Sequence, residues 1–469
     1  MELKQLKRVH LIGVGGINMS AVAKLLLANG VKVSGSDVAE NEQTTRLAER
    51  GAIIKIGEAA EHIPEGCELV ITTSAAPITN KERMAAAERK IPELTNFAFL
   101  GRWFSDAQTV VIAGTHGKSR TTAMLGLMLE KAGKDPTVIV GSKVPSFPDG
   151  NLRLGRSDLF VVEGDEYAKH FLEFRPHAVI LNNLELDHTD TFPTINAMLE
   201  AFHELVGQVK DGGIVVVNTA DERLARLIET ERESLVARGI TVIPFGAGEH
   251  AWKVESAQQE AARPVTMTRG SETMTFTISV PGAFNAMNAA GAALMAQSLG
   301  ATHEDIAAAL SGFSGIWRRF EYLATTRGAP VYSDYGHHPT AVAATLRAAQ
   351  ETFPNDRIVL CFQPHHRNRT RALFLDFVTS FDLAEALILC EIYEVSGRDE
   401  DADKHISSRD LVDAVMRHDA DRGVKRPLEY APDPAAAVRR TLELVESTDV
   451  VIFMGAGDID GEVRKVVKP

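Results

Sequence analysis

The chain has little cysteine, and the few cysteines that occur are far apart. Cys67, Cys361 and Cys390 are the three cysteines among 469 residues, and no two of them form a CxxC pair. This spacing argues against a disulfide framework and against a structural zinc site, and it is typical of proteins from a reducing compartment. We therefore expect a cytoplasmic protein.

The chain also lacks a long apolar run and an excess of positive charge. Hydrophobic residues make up 45% of the sequence, yet no run approaches the about 18 consecutive apolar residues that predict a transmembrane helix. The first segment, MELKQLKRVHLIG, lacks the apolar stretch of a signal peptide. A net charge of −13 argues against nucleic acid as a partner, because phosphate backbones need a basic surface. We expect neither a membrane span nor a nucleic-acid partner.

Short apolar runs alternate with amphipathic helical segments along the whole chain, which predicts parallel sheets covered by helices. The alternation predicts a three-domain α/β fold. A Rossmann-like sheet is expected over residues 1–104, a sheet of the P-loop ATPase type over 105–315, and a second Rossmann-like sheet over 316–469. An alternating stretch at 264–282 predicts a β-hairpin around an RGSE turn. Because ligands bind beyond the carboxyl ends of parallel strands, polar clusters after predicted strands are the candidate functional residues.

The segment GTHGKSRTT follows an apolar strand and precedes a helical pattern, as a phosphate-binding loop does. Ile112 stands where the full GxxxxGK[ST] pattern has its first glycine. Lys118 can still reach the terminal phosphates of a nucleotide, and the Ser119 hydroxyl can ligate Mg²⁺. A glycine-rich turn with a solvated lysine is the alternative. The predicted ATP-binding loop comprises Gly114, Thr115, His116, Gly117, Lys118, Ser119 and Arg120.

Two later strands end in acidic clusters. Carboxylates that follow buried strands need partners, because burying a charge is costly. Carboxylate oxygens beside a neutral imidazole suit Mg²⁺ or Mn²⁺ next to a nucleotide, so these clusters and the phosphate loop together predict a metal·ATP site. A solvated loop is the alternative for each cluster taken alone. The clusters contain Glu163, Asp165, Glu166, Asn182, Asn183, Glu185, Asp187, His188 and Asp190.

A second glycine-rich turn, GVGGINMS at residues 13–20, lies between the first predicted strand and helix. Asp37 follows at about the distance found in the dinucleotide-binding fingerprint GxGxxG, but Asn18 replaces the third glycine. From this loop alone, binding of an NAD-like cofactor, binding of another nucleotide and a tight structural turn are equally open.

Further candidates follow after residue 280. Asn285 and Asn288 share one face of a predicted helix start, where amides read a base edge or cap the helix. The Arg318–Arg319 pair can close onto a phosphate or form an interdomain salt bridge. The motifs SDYGHHPTA and FQPHHRNRTRAL form a basic cluster in an acidic protein, which suits a carboxylate or a phosphate. A solvated basic helix start is the alternative for the second motif.

Taken in order, these motifs resemble the Mur ligases of bacterial peptidoglycan synthesis. GVGGINMS followed by GSD is similar to the UDP-sugar domain of that family, and GTHGK, EGDE, NLELDH, NAMN and RRFE are similar to its ATP domain. DYGHHPT and FQPHHRNRTR are similar to its amino-acid domain. The resemblance covers essentially the whole chain and is strongest to the branch that adds L-alanine to UDP-N-acetylmuramate.

The resemblance implies ATP-dependent amide formation through an acyl phosphate. ATP and Mg²⁺ (or Mn²⁺) are the implied cofactors, with UDP-N-acetylmuramate and L-alanine, glycine or L-serine as partners, in a monomer or homodimer. The implied catalytic residues are Lys118, Glu163, His188 and Arg319, and the metal ligands are Ser119, Glu163 and His188. The ATP site adds Asn285, Asn288, Arg319 and Asp334 to the loop. The UDP-sugar site comprises Gly13, Gly15, Gly16, Asn18, Met19, Ser20, Asp37 and Ser74. The amino-acid site comprises His337, His338, His366, Arg367 and Arg369.

The sequence departs from the family pattern at several of these positions. Arg120 replaces a usual threonine after the loop lysine, and Phe284 replaces a usual histidine before the first adenine-reading asparagine. Many members have arginine where this chain has His366.

The sequence also leaves three other functional interpretations open. A murein tripeptide recycling ligase shares the first two domains but is expected to lack the FQPH and RTR cluster. A catalytically silent UDP-sugar-binding protein is expected to have lost Lys118, Glu163 or His188, all of which are present. An NAD-dependent dehydrogenase would explain the N-terminal unit and leave the phosphate loop unexplained.

Overall fold

The computed structural model describes residues 2–188, 191–257, 262–394 and 406–468, so Asp190 of the second acidic cluster lies outside the described residues. Within these ranges the strands form three large, mostly parallel sheets and one small antiparallel sheet. The predicted three-domain α/β fold class is confirmed. No helix within the described residues is long and apolar enough to cross a bilayer.

The N-terminal sheet is entirely parallel, with the strand order β3-β2-β1-β4-β5. Its first strand lies in the middle, so the glycine turn that follows this strand opens at the centre of the sheet edge. The strands are β1 (Arg8–Ile12), β2 (Lys32–Asp37), β3 (Ile53–Ile56), β4 (Leu69–Thr72) and β5 (Glu93–Thr95). The helices are α1 (Ile17–Ala28), α2 (Glu42–Glu49), α3 (Lys81–Glu88) and α4 (Asn96–Trp103), with 3-10 turns at Leu3–Gln5 and Ala60–His62.

The central sheet has the order β12-β11-β10-β6-β9-β7-β8, and only the β7–β8 pair is antiparallel among the described strands. The strands are β6 (Gln108–Ala113), β7 (Thr137–Ile139), β8 (Leu152–Arg153), β9 (Leu159–Glu163), β10 (Ala178–Leu181), β11 (Ile214–Asn218) and β12 (Thr241–Phe245). The helices are α5 (Lys118–Lys131), α6 (Ile195–Gly207), α7 (Glu222–Ala237), α8 (Ala283–Ser298) and α9 (His303–Ser311), with a 3-10 segment at Tyr167–Glu173.

The interior position of β6 in the central sheet explains why its sequence is a continuous apolar run. Val111 and Ala113 pack into one hydrophobic core, whereas Val110 and Ile112 pack into another, so both faces of the strand are covered. The parallel register pairs β6 with β9 and β10, which brings the carboxyl ends of these strands together. The phosphate loop and both acidic clusters therefore meet at one edge of the sheet.

The small antiparallel sheet consists of β13 (Lys253–Ser256), β14 (Arg263–Arg269) and β15 (Glu272–Ile278). Arg269 pairs with Glu272 across the turn, so the predicted hairpin forms around the RGSE sequence. Strand β13, which the sequence did not predict, extends the hairpin by one strand.

The C-terminal sheet has the order β16-β17-β21-β18-β19-β20, and its β16–β17 pair is antiparallel. Asp334, at the end of β17, lies beside the ends of the neighbouring strands and faces the central domain. The strands are β16 (Glu321–Thr326), β17 (Ala329–Asp334), β18 (Arg357–Phe362), β19 (Ala386–Cys390), β20 (Leu428–Ala431) and β21 (Asp449–Met454). The helices are α10 (Pro339–Thr352), α11 (Arg367–Ala372), α12 (Phe374–Ser380), α13 (Ser408–Asp421), α14 (Pro434–Leu444) and α15 (Ile459–Val466).

A buried lysine joins the N-terminal and central domains. The Lys24 ammonium, on α1, donates hydrogen bonds to Gln43 Oε1 at 2.9 Å, to Asn151 Oδ1 at 2.6 Å and to the Asp149 carbonyl at 3.0 Å. Asn151 in turn donates to the Ser20 hydroxyl at 2.9 Å. Burial lowers the pKa of Lys24 to about 8. The helix that follows the N-terminal glycine turn is therefore fixed to the central domain.

Candidate active site

The phosphate loop connects β6 to α5 through two glycines with positive φ angles. Gly114 has φ +144° and Gly117 has φ +82°, a backbone region that L side chains rarely adopt. A Cβ atom on Gly117 would lie 2.2 Å from Asn288 Oδ1. Glycine at this position thus lets the loop pack against α8 while α5 begins at Lys118. The N–H groups of the first turn of α5 point toward the loop, as in an anion-binding site.

Lys118 closes the loop on itself. Its ammonium donates to the Gly114 carbonyl at 2.6 Å, to the Thr115 carbonyl at 3.2 Å and to Glu166 Oε1 at 2.9 Å. Burial lowers the pKa of Lys118, but the Glu166 carboxylate and its acidic neighbours outweigh burial and leave the pKa above its ordinary value. The lysine is therefore protonated at neutral pH, and its ammonium lies against the backbone of the loop.

The predicted metal ligands surround the same loop. The Ser119 hydroxyl donates to Glu163 Oε1 at 2.9 Å, and Glu163 Oε2 accepts the Gly141 N–H at 2.6 Å. His188 Nδ1 is buried and has no hydrogen-bond partner among the described residues. Burial also lowers the pKa of His188, which keeps the imidazole neutral. A hydroxyl, a carboxylate and a neutral imidazole with a spare nitrogen fit a hard divalent cation beside a phosphate.

A cavity of about 720 Å³ opens beside the phosphate loop, between the central and C-terminal domains. Asn288 lines this cavity, whereas Asn285 is fully buried behind it. The Asn285 amide donates to the Pro281 carbonyl at 2.5 Å and accepts from the Asn288 amide at 3.3 Å. Asn285 therefore orients Asn288. The predicted ATP-binding residues that line the cavity are His116, Gly117, Ser119, Arg120, Asn288, Arg319 and Asp334.

Arg120 and Phe284, two departures from the family pattern, meet in this cavity. The Arg120 guanidinium lies 5.3 Å from the centre of the Phe284 ring. It donates to the Arg319 carbonyl at 2.7 Å, but its Nε has no hydrogen-bond partner within the described ranges. Burial lowers the pKa of Arg120 to about 10, against the opposing attraction of Asp334. The cavity thus contains a buried cation with unused hydrogen-bonding capacity.

Asp334 and Arg319 form the side of the cavity that belongs to the C-terminal domain. The Asp334 carboxylate accepts the N–H groups of Phe320 and Gly336, each at 2.7 Å. The Arg319 guanidinium lies over the Tyr335 ring at 5.0 Å. Backbone donors therefore fix the carboxylate, and an aromatic face supports the guanidinium.

In the N-terminal domain, the glycine turn packs tightly against its surroundings. Gly13 has φ +78°, and a Cβ atom on it would lie 2.6 Å from the Thr73 methyl group. The Gly15 N–H donates to Asp37 Oδ2 at 2.8 Å. This contact joins two parts of the predicted UDP-sugar site. Gly16 precedes α1, Asn18 is half-buried, Met19 and Ser20 are buried, and Ser74 is exposed after β4.

The two arginines of the predicted amino-acid site bind different carboxylates. The Arg369 Nε and Nη2 atoms donate to Asp187 Oδ1 at 2.9 and 2.8 Å, which links the C-terminal domain to the central domain. Burial raises the pKa of Asp187, but the Arg369 guanidinium outweighs burial and holds the pKa well below its usual range. Arg367 instead donates to Glu394 Oε1 at 2.9 Å within its own domain. The structure therefore places Arg369 at the seam between the domains.

The predicted histidines lie near Arg369. His337 Nδ1 is 3.0 Å from the Tyr335 carbonyl, and His338 precedes α10, where its Nδ1 accepts the Thr340 N–H at 3.3 Å. Burial lowers the pKa of both histidines, so both imidazoles are neutral at pH 7. His366 is buried, and its backbone N–H donates to the Tyr393 carbonyl at 3.1 Å.

Glu166, Glu185 and Asp187 are site residues to which the sequence assigned no individual role. Each follows a buried strand, which was the available signal, but their partners are distant in sequence. Glu166 pairs with Lys118, and Asp187 with Arg369. Such pairings depend on how strands and domains are arranged, and no local spacing encodes them.

The chain matches Mur ligase families along most of its length. Residues 8–107 match the Mur ligase family catalytic domain, residues 112–296 match the Mur ligase middle domain, and residues 318–457 match the Mur ligase glutamate ligase domain. These ranges follow the three large sheets in order.

Individual relatives agree with these matches. A UDP-N-acetylmuramate–L-alanine ligase from Agathobacter rectalis is 35% identical over 453 residues, which cover 96% of this chain and 95% of the relative. The crystal structure of UDP-N-acetylmuramate–alanine ligase MurC from Thermotoga maritima has a TM-score of 0.81 at 26% identity, covering 98% of each chain. A murein peptide ligase from Psychrobacter arcticus, with a TM-score of 0.70 at 22% identity and the same coverage of both chains, shares the fold.

Proposed function

The chain belongs to the Mur ligase family, and we infer that its reaction is the ATP-dependent joining of L-alanine to UDP-N-acetylmuramate in peptidoglycan precursor synthesis. The observation that supports this reaction most directly is the phosphate loop. Lys118 and the Ser119–Glu163 pair lie at its mouth, and the adjoining cavity of about 720 Å³ is lined from both the central and the C-terminal domain. The composition and cysteine spacing support a cytoplasmic enzyme.

In the first step, the carboxylate of the sugar nucleotide attacks the γ-phosphorus of ATP, which gives an acyl phosphate and ADP. Negative charge accumulates on the transferred group, so fixed cations and N–H donors aimed at it lower the barrier. Lys118 exchanges its contacts with the loop carbonyls for phosphate oxygens, and Arg319 approaches from the C-terminal domain. Ser119, Glu163 and His188 would hold Mg²⁺, which would supply neutralisation of the phosphate charge.

Arg120 has a role in nucleotide binding. An uncompensated guanidinium inside a cavity is costly until an anion accepts its hydrogen bonds. Arg120 lines the cavity next to Ser119, and its Nε lacks an acceptor among the described residues. The nucleotide phosphates supply that acceptor. Asn288, oriented by Asn285, contacts the adenine, and Asp334 contacts the ribose.

In the second step, the amine of L-alanine attacks the acyl carbon, and phosphate leaves. The neutral imidazoles of His337 and His338 lie beside Arg369, at the seam where the acyl phosphate forms. Arg369 and these histidines position the amino acid, which makes the attack effectively unimolecular. The N-terminal turn, residues 13–20 with Asp37, binds the sugar nucleotide.

The decisive experiment measures phosphate release from ATP and Mg²⁺ with UDP-N-acetylmuramate and one amino acid at a time. Release should require the sugar nucleotide and be fastest with L-alanine. Faster release with glycine or L-serine would keep the mechanism but change the acceptor. Activity confined to the L-Ala-γ-D-Glu-diaminopimelate tripeptide would contradict the proposed reaction and favour a murein peptide ligase. Binding of ATP and sugar nucleotide without turnover would favour a silent binding protein.

A further inference from the structure

A cluster of metal-binding side chains lies at the seam between the central and C-terminal domains, separate from the predicted magnesium ligands. We call it the seam triad: His116, Glu185 and His338. His116 belongs to the phosphate loop, Glu185 follows β10, and His338 precedes α10. One ligand atom from each residue lies within 4.8 Å of the other two.

The geometry of the seam triad is close to that of a tetrahedral metal site. Glu185 Oε2 lies 2.8 Å from His116 Nε2 and 3.7 Å from His338 Nδ1. Ligand atoms at about 2.0–2.2 Å from a Zn²⁺ ion are roughly 3.3 Å apart in a tetrahedron. The two separations from Glu185 lie on either side of this value, and the separation between the two histidine nitrogens is within 4.8 Å.

The protonation states also suit a metal. Burial raises the pKa of Glu185, but the hydrogen bond from His116 outweighs burial and lowers the pKa to about 2, so the carboxylate is ionised. His338 Nδ1, which faces Glu185, accepts the Thr340 N–H at 3.3 Å and therefore carries the imidazole lone pair. A metal ion would take this lone pair in place of the long hydrogen bond. A cation can replace the proton that His116 and Glu185 share.

We propose that the seam triad binds a Zn²⁺-class transition-metal ion and thereby ties the central domain to the C-terminal domain. Two imidazoles and one carboxylate suit Zn²⁺ or Co²⁺, whereas Mg²⁺ prefers oxygen ligands. The cavity beside His116 and Glu185 leaves the fourth position to water. Because His338 alone comes from the C-terminal domain, the domains cannot separate there while the ion is bound by all three residues. The seam triad shares His116 with the predicted ATP-binding loop and His338 with the predicted amino-acid site, but metal binding to it does not require the proposed reaction.

The test is a Co²⁺ titration of the full chain without Mg²⁺ or nucleotide, followed by the visible absorption of tetrahedral Co²⁺. The spectrum should saturate at one ion per chain and disappear when Zn²⁺ is added. Glu185→Gln and His338→Asn should each weaken Co²⁺ binding at least 10-fold. Glutamine still accepts the hydrogen bond from His116, and asparagine is a good N-cap residue for α10, so both variants should fold. Their melting temperatures check this.

The matched control is Glu163→Gln, which removes a predicted magnesium ligand and leaves the seam triad intact. It should keep the Co²⁺ spectrum and the Zn²⁺ displacement. Zn²⁺ should also raise the melting temperature of the wild type but not of the triad variants. Equal Zn²⁺ affinity in the wild type and both triad variants would overturn the proposal. Loss of the spectrum in Glu163→Gln would overturn it too, because the ion would then occupy the magnesium site.

Discussion

Two glycine-rich turns in this chain have the same local design but different electrostatic surroundings. Each follows a strand in the interior of its sheet and leads into a helix. In the N-terminal turn, the Gly13 and Val14 N–H groups donate to the Ser36 carbonyl, and the Gly15 N–H donates to Asp37. In the central turn, a half-buried cation at Lys118 lies among carboxylates, and a buried cation at Arg120 lines a cavity.

The difference shows what a glycine turn contributes by itself. The N-terminal turn satisfies these N–H groups within its own domain, so what it offers a ligand is its shape and the N-terminal end of α1. The central turn contains a buried cation, Arg120, that its surroundings balance only in part, which favours an anionic ligand. The glycine spacing alone does not distinguish the N-terminal turn from the central turn. The charged residues that follow the glycines do distinguish them.

Removing the loop lysine tests the comparison with the largest expected effect. Lys118→Met should lower kcat on the order of 10³-fold, because a fixed cation aimed at the transferred phosphoryl group is lost. The KM for the sugar nucleotide should change little. The measurement is steady-state phosphate release, with the melting temperature as the check on folding. A decrease below tenfold in a folded variant would mean that the central turn, like the N-terminal one, works mainly through its backbone.

Arg120→Thr should have the next largest effect. Loss of charged hydrogen bonds to the nucleotide should lower kcat/KM for ATP roughly 10- to 100-fold. The free energy of unfolding should not fall, because the variant removes a buried, partly unpaired cation. Arg120→Lys, which keeps the charge, should retain more activity. An unchanged kcat/KM for ATP in Arg120→Thr would assign the guanidinium to the domain contact with the Arg319 carbonyl instead.

Asp37→Ala tests the N-terminal turn, with the smallest expected effect. The Gly15 N–H loses its acceptor, so the turn is less well ordered for the sugar nucleotide. The KM for UDP-N-acetylmuramate should rise about fivefold, in line with a net hydrogen-bond contribution of about 1 kcal/mol. The KM for ATP should not change. If Asp37→Ala instead altered the KM for ATP as strongly as Arg120→Thr does, the two turns would not act separately.

Much of the fold was predictable because its signals are local. Apolar runs such as that of β6, which is covered on both faces, mark interior strands, and the RGSE turn marks the hairpin. The short strands β5, β7 and β8 and the edge strands β12, β16 and β20 were not predicted. A three-residue strand has too little pattern, and an edge strand such as β16, with exposed Tyr322, lacks a continuous apolar run.

The candidate site was predictable in its parts but not in its arrangement. Spacing identified Lys118 and Ser119, and the structure brings Glu163 to them. The sequence placed Arg367 and Arg369 together, but they point to different carboxylates because α11 turns them apart. Asp187, the partner of Arg369, and Glu185, which lies beside His338, belong to the central domain. Periodicity in the sequence does not predict which residues of two domains contact each other.

The buried Lys24 has a consequence for how the molecule melts and moves. Two of its three hydrogen-bond acceptors, Asp149 and Asn151, belong to the central domain, so separating the first two domains would strip a buried ammonium of most of its partners. Heating should therefore unfold these two domains in one cooperative transition. Motion between the first two domains should be restricted for the same reason, because it would break the same three hydrogen bonds.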